Sequence, residues 1–182
     1  AYSVPKQISM QNFNRRPCAT IQSDDETWVF WASTNFITNK SEIWFATYKP
    51  GDGFFSPATP TGLDCDENSR ISASVVYSLV PAVNQRIVLA WYYDGLIRYT
   101  YIDQGQTNWV SHVTTIPSSA GCLEPSIAWI NDGSTLGKLH LLYKKAINGR
   151  WIICRRIFEI DLTEHGTQKT ISGLDYNSSH PI

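Results

Sequence analysis

Charge is sparse and evenly matched in this chain. Only 17% of its 182 residues are charged, with 15 Lys and Arg against 16 Asp and Glu. The only basic clusters are Arg15-Arg16, Lys144-Lys145 and Arg155-Arg156, which read as solvated edges. The extended basic patch by which a protein displaces counterions from a nucleic acid or an anionic membrane is therefore missing. No stretch approaches the ~20 apolar residues that span a bilayer, and no charged-then-apolar leader precedes Ala1. The four cysteines, Cys18, Cys65, Cys122 and Cys154, form no CxxC, and His112, His140, His165 and His180 show no metal spacing, so neither a metal nor a cofactor is expected. The Gly-x-Ser-x-Gly elbow, the phosphate-binding glycine loop and the dinucleotide fingerprint are absent as well. Missing too is any apolar pattern that holds the 3.6-residue helical period for three turns, which leaves an all-β reading.

What the chain does have is self-similarity. Three stretches, 17–70, 71–123 and 124–180, each carry a six-residue apolar segment that opens polar and closes aromatic: Glu26 to Trp31, Arg86 to Trp91 and Lys138 to Tyr143. A repeat of this period means stacked units that cannot bury their apolar faces alone. Within the second repeat, strands are expected over 73–77, 86–93, 96–102 and 109–115, with Asp94-Gly95 supplying the positive-φ pair of a tight hairpin. The first repeat gives strands over 19–22, 27–32, 42–48 and 56–61; the third gives 126–130, 138–144, 151–157 and 168–171, with Asn148-Gly149 as its hairpin turn. Residues 1–16 resemble the last strand and exit loop of a neighbouring unit. Runs such as Ile87 to Tyr93 are apolar almost without alternation, which requires sheets covered on both faces. A single-domain β-propeller of four-stranded blades, about three per chain, meets that requirement, with a β-trefoil as the alternative. Three blades are fewer than the four to eight that normally close a ring, so a dimer completing the ring, or a longer propeller, is expected.

The runs Glu124-Pro-Ser-Ile-Ala-Trp-Ile, Gly137-Lys-Leu-His-Leu-Leu-Tyr and Asn148-Gly-Arg-Trp-Ile-Ile resemble the blades of sugar-binding propeller lectins and related sialidase-like propellers. The likeness extends over the second repeat, including Gln106-Thr-Asn-Trp109, and more loosely over the first. It is a packing signature, and the Asp-box of true sialidases is absent. What it implies is a secreted, multivalent lectin that binds glycans and does no catalysis, with a sialidase-like glycoside hydrolase or a protein-binding propeller as alternatives. Two sequons, Asn39-Lys-Ser41 and Asn177-Ser-Ser179, are compatible with secretion. In such a compartment one or two disulfides are open, as are four free thiols.

A saccharide offers an apolar face and a rim of hydroxyls, so its site needs an aromatic plane beside planar polar groups. Seven Trp and nine Tyr supply the planes. The expected sugar contacts are Trp31, Trp91 and Tyr143, at matching positions in the repeats, then Trp44, Arg98 and Trp151 on the following strands, and the loop acids Asp24, Asp66 and Glu124. Hydrolysis would instead call for two cooperating carboxylates. Acids cluster at 24–26, at 64–67 and at Asp161 with Glu164, and no pair stands out.

Overall fold

The computed structural model describes residues 13–22, 25–35, 37–77, 85–131, 137–159, 161–164 and 166–171. Among the described residues twelve strands form three separate antiparallel sheets of four, each an up-and-down meander. The first holds β1 (Phe13–Ile21), β2 (Thr27–Asn35), β3 (Lys40–Tyr48) and β4 (Thr59–Asp64). The second holds β5 (Ser72–Val76), β6 (Arg86–Tyr93), β7 (Leu96–Asp103) and β8 (Thr114–Thr115); the third holds β9 (Cys122–Ile130), β10 (Lys138–Ile147), β11 (Arg150–Phe158) and β12 (Lys169–Thr170). This is the bladed propeller architecture, and three independent sheets replace the single barrel that a trefoil requires. Phe13 to Arg16 belong to β1 itself rather than to a neighbouring blade, while residues 1–12 lie outside the described residues.

The blades stack because the middle sheet is apolar on both faces. Along β6, Ile87, Leu89 and Trp91 enter a core shared with Trp28, Phe30, Ile43 and Phe45 of the first sheet. The alternate residues Val88 and Ala90 enter a second core with Ile127, Leu139, Leu141, Tyr143, Ile152 and Phe158 of the third. The unbroken apolar run in the sequence is thus two alternating faces, each covered by a neighbour.

One expected strand is replaced. Trp109, foreseen as the start of a strand, precedes a single 3-10 turn at Val110–His112, and only Thr114–Thr115 pair with β7. Its ring is fully buried between the first two blades, edge-on to Phe30 at 5.4 Å and to Trp28 at 6.1 Å, and its carbonyl accepts the Thr100 hydroxyl at 2.7 Å. Filling the gap between blades with an indole takes precedence over extending the ladder.

Between the second and third blades a polar tie joins the cores. Arg156, only 7% exposed, contacts both carboxylate oxygens of Glu164 at 2.6 Å and donates to the Tyr143 hydroxyl at 3.1 Å. It also donates to the carbonyl of Pro117 at 2.7 Å, on the loop that leaves the second blade.

The tightest backbone position is Gly137, which opens β10 at φ +60°. A Cβ there would lie 2.6 Å from the Trp129 ring and 2.8 Å from the carbonyl of Ile130. Gly137→Ala is expected to destabilise the fold by about 2–3 kcal/mol through strain and overpacking. That lowers Tm by roughly 5–10 °C for a domain of this size. Gly51→Ala, with nothing within 4 Å of the added methyl, is the control and shifts Tm negligibly in the same thermal melt.

Candidate functional site

The first strands of the blades lie side by side. β5 packs against both β1 and β9, and the hydroxyls of Ser72 and Ser74 accept the backbone N–H groups of Ile127 and Trp129, each at 3.0 Å. Each first strand is the edge of its own sheet, so its outward N–H groups have no ladder partner, and serine supplies one.

Where two of these strands open, a bulge recurs. In β1, Arg15 pairs with Ala32 and Cys18 with Phe30, so Trp31 faces two residues, Arg16 and Pro17. In β9, Leu123 pairs with Lys144 and Ser126 with Leu142, so Tyr143 faces Glu124 and Pro125. Arg16 and Glu124 both have positive φ, 50° and 53°, a left-handed conformation that non-glycine residues avoid. Holding each costs on the order of 1–3 kcal/mol, and such strain concentrates at functional sites. The matching place in β5, just before Ser72 and its partner Ala90, is occupied by Arg70 and Ile71.

Repeat geometry brings these three matching residues together. Arg16, Arg70 and Glu124 all line one cavity of about 380 Å³, with Asp66, Glu67 and Tyr92 on its wall. Asp66 and Glu67 also line a second cavity of about 340 Å³, which runs to Asp64, Tyr93 and Lys40. The two cavities adjoin at these shared acids, at the end of the blades where β4 leads into β5, and form a cleft lined by charges of both signs.

The acids differ in what holds them. Glu124 Oε1 pairs with Lys144 at 3.0 Å, while Oε2 is buried with no hydrogen-bond partner among the described residues. A buried carboxylate oxygen without a donor is costly, and the residue that carries it lines the cavity. Asp66 caps its own loop: its carboxylate accepts the Asp94 N–H at 3.2 Å and its carbonyl accepts that of Ser69 at 2.8 Å. Glu67 is bound to Arg15 at 2.8 Å.

Of the residues foreseen as sugar contacts, Asp66 and Glu124 meet in this cleft. Trp31, Trp91 and Tyr143 do not: they are 4%, 1% and 0% exposed, with no ring face open to a saccharide. The indole N–H of Trp91 donates to the carbonyl of Asp64 at 3.0 Å, and the Tyr143 hydroxyl donates to Gln168 at 2.7 Å. Trp44 and Arg98 are half-buried opposite Trp31 and Trp91 in register. The Arg98 guanidinium stacks 4.6 Å from the ring centroid of Tyr93 and so backs the second cavity. Trp151 pairs with Ala146, and Cys154 takes the place opposite Tyr143. The Trp151 ring lies 5.6 Å from the Lys144 ammonium, which in turn holds Glu124. Asp24 lies outside the described residues. Arg16, Arg70 and Tyr92 were not foreseen; the sequence signal for the first was Arg16-Pro17, the counterpart of Glu124-Pro125.

All four cysteines are free thiols. Cys65 lines the second cavity, yet burial, reinforced by the charges of Asp66, Asp64 and Glu42, pushes its thiol up to about 12. It stays protonated at neutral pH and is no nucleophile.

Three blades of four strands, with a cleft where β4 leads into β5, define a β-propeller architecture. No family model and no curated protein matches the sequence. Among solved structures the chain is similar to the GH43 endo-arabinanase from Bacillus licheniformis, with a TM-score of 0.54 and 12% identity over 89% of this chain and 61% of that one. A polysaccharide lyase, Uly1, aligns at a TM-score of 0.42 and 11% identity over 88% of this chain and 40% of its own, too loosely to argue from. The chain thus spans about three-fifths of the arabinanase's length. The likeness is one of fold, and it is to a carbohydrate-related propeller. It also corrects the expectation of a lectin without catalysis. The blade signature that suggested a lectin is a packing pattern, and an enzyme fold carries it equally well.

The raised thiol has a consequence for stability. Below about pH 9 Cys65 is protonated both folded and unfolded, and its contribution is fully present; as pH rises toward 12 only the unfolded thiol ionises, so stability is lost. Denaturant melts between pH 9 and 11 should show a loss of about 1.4 kcal/mol per pH unit from this group. Cys65→Ala should flatten the profile by that amount, and an unchanged slope would show the thiol is not buried as described.

Proposed function

We propose that the protein is a glycan-processing hydrolase that cuts a glycosidic bond in the cleft between its first strands. What carries this reading is the meeting of Glu124 and Asp66, from different blades, in one cavity of a propeller whose fold an endo-arabinanase shares. Hydrolysis needs one carboxyl to protonate the departing glycosidic oxygen and a carboxylate to activate water or attack the sugar. Glu124, ion-paired with Lys144 and with Oε2 turned to no protein donor, takes the base or nucleophile role. Asp66, set on the loop across the cavity, protonates the leaving group. Tyr92 and Tyr93 offer aromatic surface along the cleft for the sugar's apolar face.

A homodimer remains part of the proposal. It is supported by the outer face of the third sheet, where Ile130 is 42% exposed and Leu142, Trp151 and Ile153 are half-buried.

The test is release of reducing ends from a panel of plant, algal and bacterial polysaccharides. Glu124→Gln should lower kcat by about 10³-fold or more on every substrate turned over. Asp66→Asn should lose as much on natural linkages but far less on aryl glycosides, whose leaving group needs no proton. Turnover that survives Glu124→Gln, or glycan binding with no turnover at all, would remove the hydrolase reading.

A further inference from the structure

The cleft contains more positive charge than its own acids use. Arg16 is exposed and Arg70 half-buried, and both line the 380 Å³ cavity. Three carboxylates line it too, but two are already committed: Glu67 to Arg15 and Glu124 to Lys144, both from outside the cavity wall. Asp66 spends a carboxylate oxygen on the Asp94 N–H. Among the described residues neither Arg16 nor Arg70 has a hydrogen bond or an ion pair.

Two guanidiniums line one cavity in which Glu67 and Oε1 of Glu124 are paired with other cations. Charges of opposite sign that share a crevice ordinarily pair with each other. Here Arg15 and Lys144 take the acids instead, and Arg16 and Arg70 remain available. They also stand at matching positions of neighbouring repeats, and Arg16 is aimed by a left-handed backbone held between a bulge and Pro17. A guanidinium is a planar fork of N–H donors whose best partner is a carboxylate gripped at both oxygens. A neutral saccharide presents only hydroxyls and would leave that capacity unused.

We propose that Arg16 and Arg70 form a clamp for a sugar carboxylate, so that the glycan taken by this cleft contains uronic acid. The inference rests on the reading of the cleft as a glycan-processing site and narrows it to acidic polysaccharides. Glu124 then works on the glycosidic bond next to the clamped residue. Discrimination against a neutral sugar comes from the carboxylate alone, because the ring and its hydroxyls are otherwise the same.

The experiment is isothermal titration calorimetry with the full chain and trisaccharides of galacturonate, glucuronate and mannuronate, each beside its methyl ester. The ester keeps the ring and removes the charge. At least one acid should bind about 10- to 100-fold tighter than its ester, the range expected for charge-assisted hydrogen bonds. In the Arg16→Gln/Arg70→Gln double variant the gap between acid and ester should close to within about twofold, because the acid loses far more than the ester. Arg16→Lys, which keeps the charge and loses the fork, should recover only part of the preference. Equal binding of acid and ester by the unaltered protein, or a preference that survives the double variant, overturns the clamp. The hydrolase reading is judged separately, by turnover of whichever form binds and by its loss in Glu124→Gln. If cleavage of a neutral glycan persists without any acid preference, the clamp fails and the hydrolase stands; if nothing binds, both fall.

Discussion

The hydroxyls of Ser72 and Ser74, accepting the backbone N–H groups of Ile127 and Trp129, solve the problem on which the rest of the structure depends. A blade's first strand is an edge, and an edge crowded against its neighbours away from water must find partners for donors its own sheet cannot satisfy. Serine does this without turning two edges into one continuous sheet. The first strands can then approach closely while each blade keeps its own twist. Tyr77, just past the other end of β5, does the converse for an acceptor, donating to the carbonyl of Ile21 at 2.9 Å.

Close approach at the centre has a consequence where the strands begin. Side chains that enter each blade at the same point of the repeat converge, and the residues there are Arg16, Arg70 and Glu124. Position is therefore repeated while chemistry is not. Packing fixes the β6 core residues, which are shared by both neighbours, but the opening residues face a cavity and are free to differ. Strain at Arg16 and Glu124 fits the same division, since a bulge before proline redirects a side chain at an energetic cost that nothing in the core requires.

The repeat, the all-β class, the two glycine hairpins and the double-sided middle sheet were legible in the sequence. Each follows from local chemistry: Asp94-Gly95 and Asn148-Gly149 adopt the expected positive φ at both residues, and the β6 boundaries fall where the pattern places them. The site was legible only in part. Matching aromatics looked like repeated sugar platforms, yet Trp31, Trp91 and Tyr143 are buried, because a large apolar ring gains most from burial and the gaps between blades provide it. Asp66 and Glu124 were expected only as separate loop acids in contact with sugar. Their meeting was not, because 58 residues of sequence give no distance.

Sequence alone determined that this polypeptide forms small antiparallel sheets, stacked and unable to stand singly, because alternation, turn dipeptides and apolar runs act over a few residues. Tertiary structure decided which acids share a cavity, which cations are left unpaired and which aromatics are sealed away. Those outcomes depend on how three sheets are rotated about a common centre, and that arrangement is set by long-range packing to which no short segment holds the key.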